Sequence, residues 1–301
     1  MRAGIVLPQG CDREYKGLAP TTAWQLAYET AQQIEQLEFE SLWMYDHFQV
    51  HPPPEHVPIF ESFIGLAGIA AKTSSIRLGH LVMAAAFRNA ALTAKMISTL
   101  DVLSKGRMTL GIGAGWKQDE WKAYGYGFPS AGTRLDMLED HLEVITRLLT
   151  VPVASYAGQF AAVHEAYHDP KGLQKPRIPI VVGGNGPQRT WRIAARFADE
   201  LNLDALTPTE VAAALPIIRD RCAEVGRDPA TLRVAVHFWG RPAAVSAGRE
   251  RVERLLEYRS LGVSRIIFEL GTRIRDPESV ESIADDCRVA GLLASNKDQV
   301  S

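Results

Sequence analysis

Asp46 and His47 stand side by side where the apolar run Ser41–Tyr45 stops. An imidazole passes protons near neutral pH, and a nearby carboxylate can orient it or raise its pKa. Neighbouring residues of an extended strand point to opposite sides, so Asp46 and His47 need not touch. A histidine hydrogen-bonded structurally at a strand end accounts for the same residue. A second signal is Gly183-Gly184-Asn185-Gly186, which closes the apolar run Ile178–Val182 and leads through Pro187 into a helical pattern. Glycines let backbone N–H groups approach an anion, and a helix N-terminus adds its positive end. This is the phosphate candidate, with Arg189 as an added charge; a tight turn that needs positive φ explains the same glycines. A third signal is the stretch 111–116, GIGAGW. A dinucleotide fingerprint would need glycine at 116, where Trp116 stands. The residues Gly113, Ala114 and Gly115 instead make a floor for a flat ligand against the Trp116 indole, or else a rim turn beside a packed tryptophan.

The elements that must position these residues alternate along the chain. Apolar runs at Ala3–Leu7, Ser41–Tyr45, Ile76–Met83, Arg107–Gly113, Ile178–Val182, Glu200–Leu203, Leu232–Trp239 and Arg265–Leu270 read as strands. Helical spacing falls between them: Thr22–Leu37 with Thr21 as its cap, Ile59–Lys72, Ala90–Leu103, Leu135–Leu149, Pro187–Phe197 with its early proline, Thr209–Val225, Arg249–Leu261 and Pro277–Ala290. Eight strands alternating with helices predict an α/β fold, a closed parallel TIM-type (β/α)8 barrel in one domain over 1–301. A doubly wound sheet is the alternative. Residues 151–177 carry three prolines and no clear period, and are expected as an insertion beside the barrel. In such a barrel chemistry sits at the carboxyl ends of the strands. That rule adds Met83, Ala84 and Ala85, Phe238 and Trp239, and Glu269 to the three signals above.

Composition narrows the function classes. The chain is 46% hydrophobic and 23% charged, ordinary for a soluble globular protein. A formal charge of −2 and the lack of a basic stripe argue against a nucleic-acid partner. No apolar run is long enough for a membrane span or a signal peptide. The three cysteines, Cys11, Cys222 and Cys287, are far apart and form no Cys/His cluster, so no metal site is expected and the chain reads as a reduced, cytoplasmic protein. No G-x-S-x-G or H-E-x-x-H motif is present.

The segments SLWMYDHF, IRLGHLV followed by FRNAALTAKMISTLDVLSKGRMTLGIGAGW, and PIVVGGNG followed by RIAARFADELN together resemble the luciferase-like monooxygenase superfamily over nearly the whole chain. The D-H pair and the GAGW segment are most similar to its coenzyme F-420-dependent oxidoreductase branch. The resemblance implies a bacterial luciferase-like TIM barrel, a homodimer, and a deazaflavin ring in the barrel mouth with its phosphate near Gly183, Gly184, Asn185 and Gly186. It implies hydride transfer between that coenzyme and a small-molecule substrate, with His47 near the reacting ring. FMN with molecular oxygen is the cofactor of other branches and the alternative here. A non-catalytic flavin-binding protein is a remote one, disfavoured by Asp46 and His47. The resemblance further implies a bulge with a cis peptide between Leu81 and Val82, pressing with Met83 on the ring. Three departures stand out. Met83 to Ala90 replaces a hydroxyl- and proline-bearing loop, which implies a more apolar wall. Glu38 replaces a glycine after the first helix, where a left-handed backbone would cost about 1 kcal/mol. Trp116 stands where some sugar-phosphate dehydrogenases of the branch carry glutamate.

Overall fold

The computed structural model describes residues 1–238 and 246–293. Trp239 and the tail from 295 onward lie outside them. In chain order the elements are β1 (Arg2–Val6), α1 (Pro20–Gln36), β2 (Ser41–Met44), α2 (Ser62–Ala70), β3 (Arg77–His80), its continuation β4 (Met83–Ala84), α3 (Ala90–Leu103), β5 (Met108–Gly113), α4 (Gln118–Ala123) and α5 (Ala131–Thr150). There follow β6 (Val153–Ala157), β7 (Ala162–Tyr167), β8 (Ile180–Gly183), α6 (Thr190–Phe197), β9 (Glu200–Asp204), α7 (Pro208–Glu224), β10 (Arg233–Phe238), α8 (Arg249–Ser260), β11 (Arg265–Glu269) and α9 (Glu278–Val289).

The sheet runs β1-β2-β3-β5-β8-β9-β10-β11 and returns to β1, with every neighbouring pair parallel. It is the closed eight-stranded barrel expected from the alternation, and closure excludes the doubly wound sheet. Period-two alternation sorts the side chains. Ala3, Ile5, Leu42, Met44 and Leu78 pack outward under the helices. Val6, Trp43, Tyr45, Val181 and Ile267 pack together in the lumen. Trp43 fills so much of it that a Cβ on Gly79 would lie 2.5 Å from the indole. Among the described residues no helix is long and apolar enough to cross a membrane.

Where the local reading and the structure part, the cause is physical. Thr21 does not cap α1: Ala19 is the N-cap and Pro20 opens the helix, its fixed φ suiting the first turn. Glu38 is left-handed at φ 66°, so the position that would suit glycine carries a side chain instead. Pro187 precedes α6 by a turn rather than lying in it. The 151–177 insertion holds an antiparallel hairpin, β6–β7, that shows no clean alternation because most of β7 is solvent-facing. It is tied to α5 by Asp140, which accepts from the Tyr156 hydroxyl at 2.6 Å and the Phe160 amide at 2.7 Å. Six-residue α4 is too short to show a period.

The third strand breaks where the resemblance implied. The Leu81–Val82 peptide is cis. Gly79 pairs with Thr109 and Met83 with Ile112, so this strand spends one residue more than its partner. The consequence is a bulge that places Leu81 and Val82 together in the lumen, while Met83 returns to the helix side.

Candidate functional site

The carboxyl ends of the strands surround a cavity of about 490 Å³. His47 lies on its rim, 18% exposed. Two residues after Tyr45, it continues the lumen-facing side of β2. Its Nδ1 lies 2.9 Å from Glu120 Oε2, and Glu120 is 1% exposed. The other oxygen of Glu120 accepts the amides of Phe48 at 2.7 Å and Gln49 at 3.2 Å. A carboxylate only accepts, so in the neutral ring the proton sits on Nδ1 and Nε2 keeps the lone pair. The backbone is equally fixed: buried Gln9 accepts the His47 amide at 2.9 Å and donates to the His47 carbonyl at 2.8 Å and to that of Phe60 at 2.7 Å. The arrangement is a histidine aimed and polarised by a buried carboxylate, able to exchange a proton at the cavity.

Asp46 points the other way, as strand geometry requires. Arg88 grips it at 2.7 and 2.8 Å, the Ser62 hydroxyl donates at 2.7 Å, and Arg88 also reaches Glu61 at 2.5 Å. Burial pushes the Asp46 pKa up, but the hydrogen bonds and charge of Arg88 outweigh it and hold the carboxyl below its ordinary value. Asp46 thus binds Arg88 rather than His47, and anchors the β2 end to the loop before α3.

The glycines have protein neighbours. A Cβ on Gly113 would lie 2.9 Å from Val82 Cγ2, and one on Gly183 3.0 Å from both Val82 methyls. These two residues make room for the bulge. A Cβ on Gly115, which has φ 75°, would lie 2.6 Å from the Trp121 indole. The turn after β8 is held by its own bonds. The Gly184 amide donates to the Asn202 carbonyl at 3.0 Å, and Asn185 exchanges two 2.8 Å bonds with the Asp204 backbone. Gly186 packs on the Thr190 hydroxyl. Arg189 turns away to Asp136 at 2.7 Å and Glu139 at 3.0 Å, so it adds no charge to this turn.

Of the residues expected from sequence, the cavity brings together Asp46, His47, Leu81, Val82, Gly113, Ala114, Gly115, Trp116, Gly183 and Gly184. Met83, Asn185 and Gly186 are not on its lining: Met83 is buried in the helix-side core, and the other two shape the turn. Trp116 is 55% exposed, edge-on to His47 at 6.0 Å and to His51 at 5.7 Å. Glu120 was missed because nothing in the spacing links it to His47 across 72 intervening residues. The only available signal was its place just past the β5 end. His237 looked uninformative alone, yet its Nδ1 lies 2.9 Å from Asn202 Nδ2 and its Nε2 3.3 Å from Asp204 Oδ1. Burial lowers the His237 pKa, against the charge of Asp204. Nearby, the Tyr45 hydroxyl is held well above its ordinary pKa by burial and then by the charges of Glu269, Cys11, Asp12 and Asp204.

The site fits a flat heterocycle with a phosphate tail. Leu81 and Val82 present an apolar surface in the lumen, and the cavity extends past it to Gly184 and Thr190, which begins α6. The sole His/Cys/carboxylate cluster among the described residues, Cys11 with Asp12 and Glu14, holds a thiol whose pKa burial pushes well up.

Residues 1–293 match the family model described as luciferase-like monooxygenase. An uncharacterized protein of Mycobacterium tuberculosis is 32% identical over 75% of this chain and 74% of its own length. The F-420-dependent glucose-6-phosphate dehydrogenase of Kineococcus radiotolerans is 27% identical over 90% of this chain and 79% of its own. Among solved structures, an F-420-dependent secondary alcohol dehydrogenase in complex with an F-420–acetone adduct superposes with a TM-score of 0.78 at 16% identity, covering 96% of this chain and 98% of that one. The barrel, its bulged third strand and these matches agree: the chain belongs to the luciferase-like monooxygenase family of oxidoreductases.

Proposed function

We propose that this chain is a coenzyme F-420-dependent oxidoreductase acting on a small organic substrate. The observation that carries the reading is the His47–Glu120 pair at the rim of a cavity floored by Leu81 and Val82. The relative from Kineococcus radiotolerans supports the choice of coenzyme. Bound there, the deazaflavin supplies the hydride chemistry. The chain supplies position and proton handling. Leu81 and Val82 back the ring, while Gly183, Gly184 and the Thr190 hydroxyl at the start of α6 hold the phosphate. His47 Nε2 takes or returns the substrate proton, Glu120 fixes its tautomer, and Gln9 fixes its backbone. Asp46 acts at one remove, by fixing Arg88 and the end of β2. Fluorescence titration tests the coenzyme: F-420 binds more tightly than FMN, and tight FMN binding without deazaflavin binding would reverse the reading. His47→Ala lowers turnover by about 10²-fold or more while coenzyme affinity changes much less. The family's description favours one other reading, an FMN-dependent monooxygenase, which oxygen consumption with reduced FMN would establish in place of the first.

A further inference from the structure

One flank of the cavity is not used by the proton relay. Asn202 on β9 and Tyr45 at the end of β2 are 2% and 8% exposed and both line the cavity, yet Asn202 Oδ1 and the Tyr45 hydroxyl have no hydrogen-bond partner. Asp204 Oδ1 also makes no hydrogen bond; its side chain is 45% exposed, and its near neighbour is His237 Nε2 at 3.3 Å. Buried polar atoms are rarely left so, and each orphan needs an explanation. Two of these three atoms are pure acceptors and call for a donor, and the third, a hydroxyl, can accept from the same donor.

Charge points the same way. Asp12 and Asp204 both line the cavity and both act on the Tyr45 hydroxyl. Among the described residues neither is in a salt bridge with a lysine or arginine. Among the described residues the cavity's single lysine is Lys117, which is 2% exposed, gives its Nζ to the Gln49 carbonyl at 2.9 Å and lies 3.9 Å from Glu120. Arg88 is committed to Asp46 and Glu61. A phosphate or carboxylate on the substrate would meet acceptors and negative charge here, whereas a cation would satisfy both. At the mouth, the Trp116 and His51 rings stand edge to face at 5.7 Å and suit a flat apolar body.

We infer that the substrate is a flat molecule carrying a protonated amine, seated on Asp204 with Asn202 and Tyr45, and that the site rejects phosphorylated and carboxylated compounds. This deepens the proposed function and rests on it for the identity of the coenzyme, but the amine site stands on its own residues. The experiment is isothermal titration of the protein, with and without saturating F-420, using benzylamine, benzyl alcohol, benzoate and glucose 6-phosphate. Benzylamine binds at least ten-fold more tightly than benzoate, and glucose 6-phosphate does not compete. Asp204→Asn brings benzylamine down to the level of benzyl alcohol; its fold is checked by thermal melting, since the Asn185 bonds use only the Asp204 backbone. Tyr45→Phe weakens benzylamine by a smaller factor. Benzoate or glucose 6-phosphate binding as tightly as the amine, no measurable amine binding at millimolar concentration, or an undiminished amine preference in Asp204→Asn would each overturn the inference. Failure of F-420 to bind, with the amine preference intact, would sink the coenzyme assignment instead.

Discussion

Replacing Glu120 by glutamine separates the proton relay from the packing around it. The substitution keeps shape and volume. One amide oxygen can still accept the Phe48 and Gln49 amides, so the loop after β2 keeps its anchor. The amide nitrogen then faces His47 Nδ1 across the 2.9 Å now spanned by a carboxylate oxygen. That nitrogen donates, so Nδ1 must accept and the ring proton moves to Nε2. A neutral ring protonated at Nε2 has no lone pair aimed at the substrate. The expected loss of turnover is about 10²-fold or more, the usual scale of general acid–base catalysis, which corresponds to about 3 kcal/mol of barrier. The stability cost is smaller, about 1–2 kcal/mol, because a charge-assisted bond becomes a neutral one and no polar atom is orphaned. Nitrogen-15 NMR of the His47 ring reads the tautomer without a substrate: Nδ1–H in the parent, Nε2–H in the variant. Steady-state kinetics reads the consequence. A variant that keeps the Nδ1–H tautomer, or that turns over within about three-fold of the parent, would refute the orienting role of Glu120.

Three further outcomes follow from the packing. His80 is wholly buried against Phe63, with neither ring nitrogen bonded, and burial lowers its pKa to about 4. The unfolded chain therefore binds a proton near pH 6.5 that the native state refuses until about 4. Stability falls as pH drops through that window, by about 3 kcal/mol in all, and His80→Leu flattens that part of a denaturation series run from pH 7 to 4. Gly113→Ala puts a methyl 2.9 Å from Val82 and costs about 1–3 kcal/mol; combined with Val82→Ala the loss is smaller than the sum of the singles by about 1 kcal/mol, measured by a double-mutant cycle. Arg88→Met strands the buried Asp46 charge and costs about 3–5 kcal/mol in urea melts, much of it recovered when Asp46→Leu is added.

The barrel was legible because its signal is repetitive: each strand is a short apolar run, and β1, β2, β5 and β8 end where the runs end, within two residues. The site was legible where it lies on those ends, as His47, Gly113 and Gly183 do. It was not legible where two distant segments meet. Glu120 and His47 make one hydrogen bond, but their pairing comes from closure of the barrel, which brings the β5 end against the loop after β2. Asp46 shows the converse. Adjacency in sequence suggested a pair, while alternation along β2 sends the two side chains to opposite faces, one to the cavity and one to Arg88. The glycines make a subtler case. Their spacing marked the cavity correctly, yet the space they leave at 113 and 183 is filled by Val82. Close approach was the right inference from glycine, and the approaching group is the protein's own bulge. Any coenzyme ring therefore meets valine and leucine side chains here, where a bare glycine floor would have exposed backbone amides. That distinction predicts which substitutions reach the ring: changes at Val82 alter coenzyme binding directly, and changes at Gly113, which also lines the cavity, act chiefly by displacing Val82.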